Sequence, residues 1–314
     1  MRELNLLSVI VPCHNEQEVL PGTHRRLSGV LKEIVNIKQC SAYEIVYVNN
    51  GSTDQTRQVL REIFNADPRA RVIELRRNFG YQGSLSAGLF FARGDAVVSI
   101  DADLQDPPEK IAAMIDFYRQ DYDLVLGVRA GRSSDSPLKR FFAQKYYCFL
   151  KAVGVEVVYN HGDFRLMARA LVDEFNRLDE RNRFIRAMVL KLDNYYATVS
   201  YDRQPRQLGK TKFDVRSLFS LSLDGILSFS YAPLRLASFL GLVMCIVAVL
   251  MIGWVIVIRV KTDVVPGWAS TLLPVLLFSS VQLFVLGIIG EYIGRLYIEV
   301  KQRPVFSVRR EYSH

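Results

Sequence analysis

Only four cysteines occur in 314 residues, Cys13, Cys40, Cys148 and Cys245, and none is paired as CxxC. That excludes a disulfide framework and offers no thiolate spacing for zinc. The start, MRELNLLSVIVPCHNE, lacks the features of a secretory leader, because its apolar run breaks early and no small-residue cleavage site follows. The polar part of the chain is therefore expected in the cytosol, where thiols stay reduced. The composition of a disordered chain is also missing, since 50% of residues are hydrophobic and only 23% are charged. Acidic residues are short relative to basic ones, 32 against 40, leaving a net charge of +8. No helix-turn-helix spacing, zinc pattern or RNP motif accompanies that charge, so no nucleic acid partner is expected. Anionic lipid and phosphate-bearing substrates are the better match.

Charge is absent altogether from two late stretches, 236–258 and 269–290. Each is long enough to cross a hydrocarbon core of ~30 Å at ~1.5 Å per residue. A pair of buried helices in a soluble core is the alternative, but two such stretches in tandem are rare there. The ten-residue linker RVKTDVVPGW makes the pair a hairpin, with Trp254 and Trp268 toward one end. Arg206, Lys210, Lys212, Arg216 and Arg235 precede it, and Arg295, Lys301, Arg303, Arg309 and Arg310 follow it. The linker carries only Arg259 and Lys261. The positive-inside rule then predicts a multi-pass protein of the inner, cytoplasmic membrane with both flanks in the cytosol. The expected organisation is a cytosolic domain over 1–212, an interfacial amphipathic helix over 213–233, two spans within 234–295 and a cytosolic tail over 296–314. Gly290 and Gly294, with Gly287 nearby, have the spacing of close helix contacts, including contacts within a homo-oligomer.

Short Val- and Ile-rich runs recur at 6–12, 43–48, 71–75, 96–101 and 123–128, with amphipathic stretches between them. Strands alternating with helices predict an α/β domain around a largely parallel sheet. Further helices are expected over 136–155 and 168–192, and a late strand over 198–203. Ligands of such sheets bind beyond the carboxyl ends of the strands. Asp101-Ala102-Asp103 lies at such an end. Two carboxylates at i and i+2 can hold a divalent cation against a diphosphate. At an Asp frequency of ~5% about one such pair arises by chance, so placement carries the argument. A helix cap near Pro107 is the plain alternative. The first strand ends in Pro12, His14 and Glu16, and the second in Asn49 and Asn50, followed by Ser52 and Asp54. The last two are natural caps for the next helix.

Taken in order, VPCHNE, NNGSTD, RNFGYQGSLSAGL, GDAVVSIDADLQDPPE, GDFRLMAR, the GKTKF loop, LDGILSFSYAPLR and GEYIGRLYIEVKQRP resemble family 2 glycosyltransferases acting on polyprenyl phosphates. The bacterial bactoprenol glucosyltransferases are the nearest subgroup, and dolichol-phosphate mannose synthases are relatives. The resemblance covers nearly the whole chain. It implies a GT-A (Rossmann-like) fold and an inverting transfer of a hexose, glucose from UDP-glucose in the first instance, to undecaprenyl or another polyprenyl phosphate. Pro12, His14, Glu16, Asn49, Asn50 and Asp101 then match positions that bind the nucleotide sugar. Asp101, Asp103 and Gln105 match those holding Mg²⁺ or Mn²⁺. Asp163 matches the proposed catalytic carboxylate, with Arg165 beside it. Arg129 and Arg140 match arginines for the acceptor phosphate, and Arg203, Arg206 and Lys212 fall in a loop covering the site. The family usually has an Asp where this chain has Asn49 and Asn50, and an amide there accepts hydrogen bonds without charge.

A phosphate monoester is already largely ionised at neutral pH, with a second pKa near ~6. Asp163 is therefore expected to orient groups more than to remove a proton. A processive polysaccharide synthase would need more spans and a QxxRW motif, and both tryptophans lie in the membrane half. A non-catalytic membrane-anchored relative, or a transferase of mannose or an amino sugar, are the remaining alternatives.

Overall fold

The computed structural model describes residues 2–130, 158, 160–181, 183–202, 232–261 and 267–314. These fall into two units. One holds the sheet and includes Arg303–His314; the other is built on two long helices.

The first unit has eight strands: β1 Leu6–Cys13, β2 Ala42–Asn49, β3 Ala70–Leu75, β4 Ala96–Ser99, β5 Leu124–Arg129, β6 His161–Ala168, β7 Tyr196–Tyr201 and β8 Val308–Tyr312. Its helices are α1 Leu20–Asn36, α2 Thr56–Ala66, α3 Gly80–Phe91, α4 Ile111–Arg119, α5 Arg169–Arg177 and α6 Ile185–Leu192. The strands form one sheet in the order β7-β5-β6-β4-β1-β2-β3-β8. β1, β2, β3 and β4 run parallel. Helices on both faces explain why β1 and β2 read as near-continuous apolar runs, since seven of eight residues in each are buried. α1 buries Leu20, Leu27, Leu31 and Ile34 at helical spacing. α3 lies so close to β1 that a Cβ on Gly88 would come within 2.2 Å of Ile10 Cγ2. The winding runs outward from β1 through β2 to β3, while β4 lies on the other side of β1. That reversal between β1 and β4 is where open α/β sheets form a ligand crevice.

Two strands were not legible in the sequence. β6 pairs antiparallel with both β4 and β5. Its eight residues are all buried although two are charged, and charge is what disguises it as a loop motif. β8 lies in the segment expected as a free tail. It pairs antiparallel with β3 and closes that sheet edge. Arg71, on β3, donates 2.7 Å hydrogen bonds to Glu44 and to Glu311 of β8, so an ion network that is buried at Arg71 and Glu44 and reaches the exposed Glu311 ties the strand down. The helix expected over 168–192 is two helices, because Leu178 is extended (φ −68°, ψ 124°).

The second unit contains α7 Ala232–Lys261 and α8 Trp268–Val300, which pack against each other. Large apolar side chains such as Leu242, Val249, Leu283 and Ile293 are exposed on them. Among the described residues one segment, Leu277–Val300, has both the length and the apolar composition to cross a bilayer. The apolar part of α7 that meets the composition is shorter, Ala237–Met251. The single qualifying span falls short of the two expected, and it starts eight residues later than the expected 269–290.

Candidate active site

The carboxyl ends of β1 and β2 are stitched together by side-chain amides. Asn50 Nδ2 donates to Asn78 Oδ1 (3.1 Å) and to the Gly80 carbonyl (2.9 Å), and Asn50 Oδ1 accepts from Phe79 N (2.9 Å). His14 Nδ1 lies 3.0 Å from the Asn50 carbonyl, and its Nε2 lies 3.2 Å from Asn78 Nδ2. Asn49 Oδ1 accepts from Ser52 N. Gly51 permits the tight turn: its φ is +61°, and a Cβ there would meet the Arg77 carbonyl carbon at 2.4 Å. Pro12 is buried within β1, and Glu16 anchors the following turn through its backbone N–H to Thr56 Oγ1 (2.9 Å). Asp54 accepts from Thr56 N in a local turn just before α2, whose N-cap is Gln55 and carries no side-chain cap. Ser52 instead accepts from Asn15 N.

β4 ends at Ser99, and the chain turns through Asp101, Asp103 and Gln105. Asp101 Oδ1 accepts from Tyr81 OH (2.7 Å), and Asp103 Oδ1 accepts from Gln105 N (3.2 Å). The short 3-10 helix Pro108–Lys110 has no side-chain cap, so neither acid serves as one there. Leu104, between Asp103 and Gln105, adopts φ +51°. A left-handed leucine costs about 1–2 kcal/mol, so the turn is held by its surroundings. Thr23 of α1 supplies one hold, donating to the Ala102 carbonyl at 2.5 Å. Burial, with Asp163 and Asp106 nearby, pushes Asp101 up to about 7, against a partial offset from Tyr81.

Alternation along β6 puts His161, Asp163 and Arg165 on one face, while Phe164 and Leu166 enter the core on the other. Ser99 is paired with Arg165, so this stripe runs beside Asp101. Asp163 accepts from Arg165 Nη2 (2.5 Å), from Arg186 Nε to both oxygens (3.1 Å each), and from Arg186 Nη2. Burial alone would raise this acid. Arg186 and Arg165 outweigh burial and hold its carboxyl well below the usual range. Two acids near one another therefore sit in opposite electrostatic states.

Arg129 ends β5, where its Nη2 is 3.9 Å from Asp106 Oδ1. Tyr201 OH donates to the same oxygen at 2.5 Å. Arg140, Arg203, Arg206 and Lys212 lie outside the described residues, as does most of the expected interfacial helix. The sequence reading missed Arg186, Tyr81, Asp106, Tyr201 and His161. Tyr81, Asp106 and His161 lie inside or beside quoted motifs, which was the available signal. Arg186 sits in an apolar helix 23 positions from its partner and carries no local signal. Among the described residues no three His, Cys, Asp or Glu side chains converge to enclose a metal.

The arrangement is that of an α/β domain with acids at the switch point of its sheet, in a chain that also carries a two-helix C-terminal unit. The profile of glycosyl transferase family 2 matches residues 8–175, and that of the GtrB C-terminal hairpin matches 232–296. The chain is 40% identical over 308 residues to the uncharacterized glycosyltransferase YkcC of Bacillus subtilis, covering 98% of this chain and 94% of that one. It is 37% identical over 308 residues to the SfII prophage-derived bactoprenol glucosyl transferase of Shigella flexneri, covering 98% of each. A crystal structure of a mycobacterial protein shares the fold at 17% identity with a TM-score of 0.50, covering 72% of this chain and 75% of that one. The chain belongs to glycosyl transferase family 2, and it is a glycosyltransferase with a GT-A domain.

Proposed function

We propose that the protein transfers glucose from UDP-glucose to a polyprenyl phosphate such as undecaprenyl phosphate, at the cytosolic face of the inner membrane. The observation that carries this reading is the clamp on Asp163, the acid the family resemblance marks as catalytic, whose carboxylate accepts hydrogen bonds from both Arg165 and Arg186. A carboxylate clamped in that way is a poor proton acceptor at neutral pH. An alcohol acceptor would need such a base, whereas a phosphate monoester arrives already ionised. Near-full-length identity to a bactoprenol glucosyl transferase supports the same acceptor class.

In this mechanism a phosphate oxygen of the lipid forms a bond to the anomeric carbon. The bond from that carbon to the diphosphate oxygen breaks on the opposite side, with inversion. Asp163 fixes Arg165 and Arg186 in place rather than taking a proton. Arg129 and Arg140 hold the acceptor phosphate, for which guanidinium forks are well matched. Pro12, His14, Glu16, Asn49 and Asn50 shape the nucleotide side, and Arg203, Arg206 and Lys212 cover it. Carboxylate oxygens are the ligand type that Mg²⁺ and Mn²⁺ prefer, and the crowding that raises Asp101 is relieved by a cation. Asp101, Asp103 and Gln105 would hold such an ion, which when bound neutralises charge on the departing diphosphate. Both α7 and α8 cross the membrane in this reading, and Gly287, Gly290 and Gly294 favour a homo-oligomer.

The test is mass spectrometry of lipid products from full-length protein in detergent, given undecaprenyl phosphate, Mn²⁺ and a panel of UDP-, GDP- and CDP-sugars. One added hexose from UDP-glucose is the expected result. A product from a mannose or amino-sugar nucleotide instead would change the sugar. No product from any of them would favour a non-catalytic role.

A further inference from the structure

His161 begins the same stripe of β6 that carries Asp163 and Arg165, at the end of the strand nearest the DAD turn. It is 5% exposed. Its Nε2 is buried and has no hydrogen-bond partner, and the same is true of Nη1 of Arg165, four positions along the stripe. Buried polar atoms in native proteins are almost always paired, so two orphans on one face of one strand require an account. The Asp163 carboxylate is not that partner for either atom, because its recorded bonds go to Arg165 Nη2 and to Arg186. Arg165 Nη1 is an N–H and can only donate. Whatever satisfies it must present an acceptor, and beside Arg165 and Arg186 an anionic oxygen is favoured. Burial, reinforced by Arg165, keeps the imidazole well below its usual pKa, against a smaller opposing pull from Asp163. A neutral ring provides an N–H without adding a further positive charge to a face that already holds two guanidiniums.

We propose that His161 Nε2 and Arg165 Nη1 bind a phosphate oxygen of the reacting substrates, with His161 as a neutral hydrogen-bond donor. This rests on the transfer reaction proposed above. The phosphate has two possible sources, the lipid monoester or the diphosphate of the nucleotide sugar. His161 is the residue to vary, because Arg165 also pins Asp163 and its loss would disturb both.

The experiment compares wild type, His161→Leu and His161→Gln as full chains in detergent. It measures kcat and KM for polyprenyl phosphate and for the nucleotide sugar, and equilibrium binding of UDP alone. Gln can place an amide N–H near the Nε2 position, whereas Leu cannot. The expected result is a KM raised about tenfold or more in His161→Leu, the scale of one hydrogen bond to a charged oxygen, with kcat changed less and His161→Gln restoring most of the loss. A rise confined to the lipid KM assigns the lipid phosphate, and weaker binding of UDP alone assigns the diphosphate. Unchanged KM values in a folded His161→Leu would overturn the inference. So would a changed preference among hexoses with UDP binding and lipid KM intact, since that marks a sugar contact. If His161→Leu does not fold, His161→Ala takes its place: KM values raised in His161→Ala and restored in His161→Gln support the hydrogen bond, and equal KM values in the two variants overturn it. Wild-type protein that transfers nothing defeats the underlying reaction instead, and is told apart by that.

Discussion

Arg186→Gln tests whether the second guanidinium on Asp163 is what holds that acid ionised. The native arginine makes three hydrogen bonds to the two carboxylate oxygens. Asp163 keeps only 7% of its side chain exposed, while Arg186 keeps 33%. Breaking a fully buried pair costs ~3–5 kcal/mol. Here Arg165 still faces Asp163 and Arg186 is partly hydrated, so the expected cost is about 2 kcal/mol, within the range of a charged hydrogen bond. The pH dependence gives the sharper check. An acid whose folded pKa is depressed stabilises above its unfolded pKa, ordinarily 3.8, and loses that contribution as pH falls toward the folded value. The unfolded value is common to both proteins and cancels, so the gap in stability between wild type and Arg186→Gln should be full at pH 7 and shrink only as pH falls from the folded pKa of Asp163 in the variant toward the lower one in wild type. Chemical unfolding of detergent-solubilised protein at a series of pH values measures it. A double-mutant cycle with Asp163→Asn isolates the pair, and a coupling under about 0.5 kcal/mol would refute the clamp.

Asp101→Asn has the opposite sign. Its folded pKa lies near 7 and its ordinary value is 3.8, so this acid stabilises at low pH and gives that up as pH rises to about 7. In chelator-treated protein at pH 8 the variant should be more stable than wild type, by at most on the order of 4 kcal/mol, while losing nearly all transfer activity. Equal or lower stability at pH 8 would contradict the crowding of these carboxyls. Asn50→Asp should not improve binding of the nucleotide. It replaces an amide that donates to Asn78 Oδ1 and to the Gly80 carbonyl by a carboxylate facing both acceptors, at a cost of about 1–3 kcal/mol. Thermal melts with and without UDP-glucose decide it, and a stabilised or tighter-binding variant would reverse the assignment.

The parallel strands β1 to β4 were legible because both faces are covered, which turns each into a continuous apolar run. Asp101 and Asp103 were legible by their place at the end of such a run. β6 was not, because a strand with Asp163 and Arg165 on its inward face looks polar until their partners are known. β8 was hidden for a related reason: VRREY reads as a basic tail, and only the ion network of Arg71, Glu44 and Glu311 makes it a strand. The amide lattice around Asn50 was equally invisible. In sequence terms Asn50 looked like a weakened carboxylate, whereas in the fold its two N–H groups are what the loop uses. Long-range polar pairing is the common element in these misses, since hydrophobic periodicity reports only which faces are dry.

The division of labour between Asp101 and Asp163 follows from where cations are built into the chain. A half-buried and a buried acid close together repel, and the protein answers by placing both Arg165 and Arg186 on Asp163. Asp101 receives a tyrosine hydroxyl, which offers a hydrogen bond and no charge. Swapping those partners would make Asp101 a quiet structural acid and leave Asp163 with the elevated pKa of a general base. The arrangement present does the reverse. The crowded acid lies at the end of β4, where a cation bound to a diphosphate would relieve it, and the acid on β6 is already committed to two guanidiniums. An acceptor that brings its own ionised oxygen needs no proton taken by Asp163.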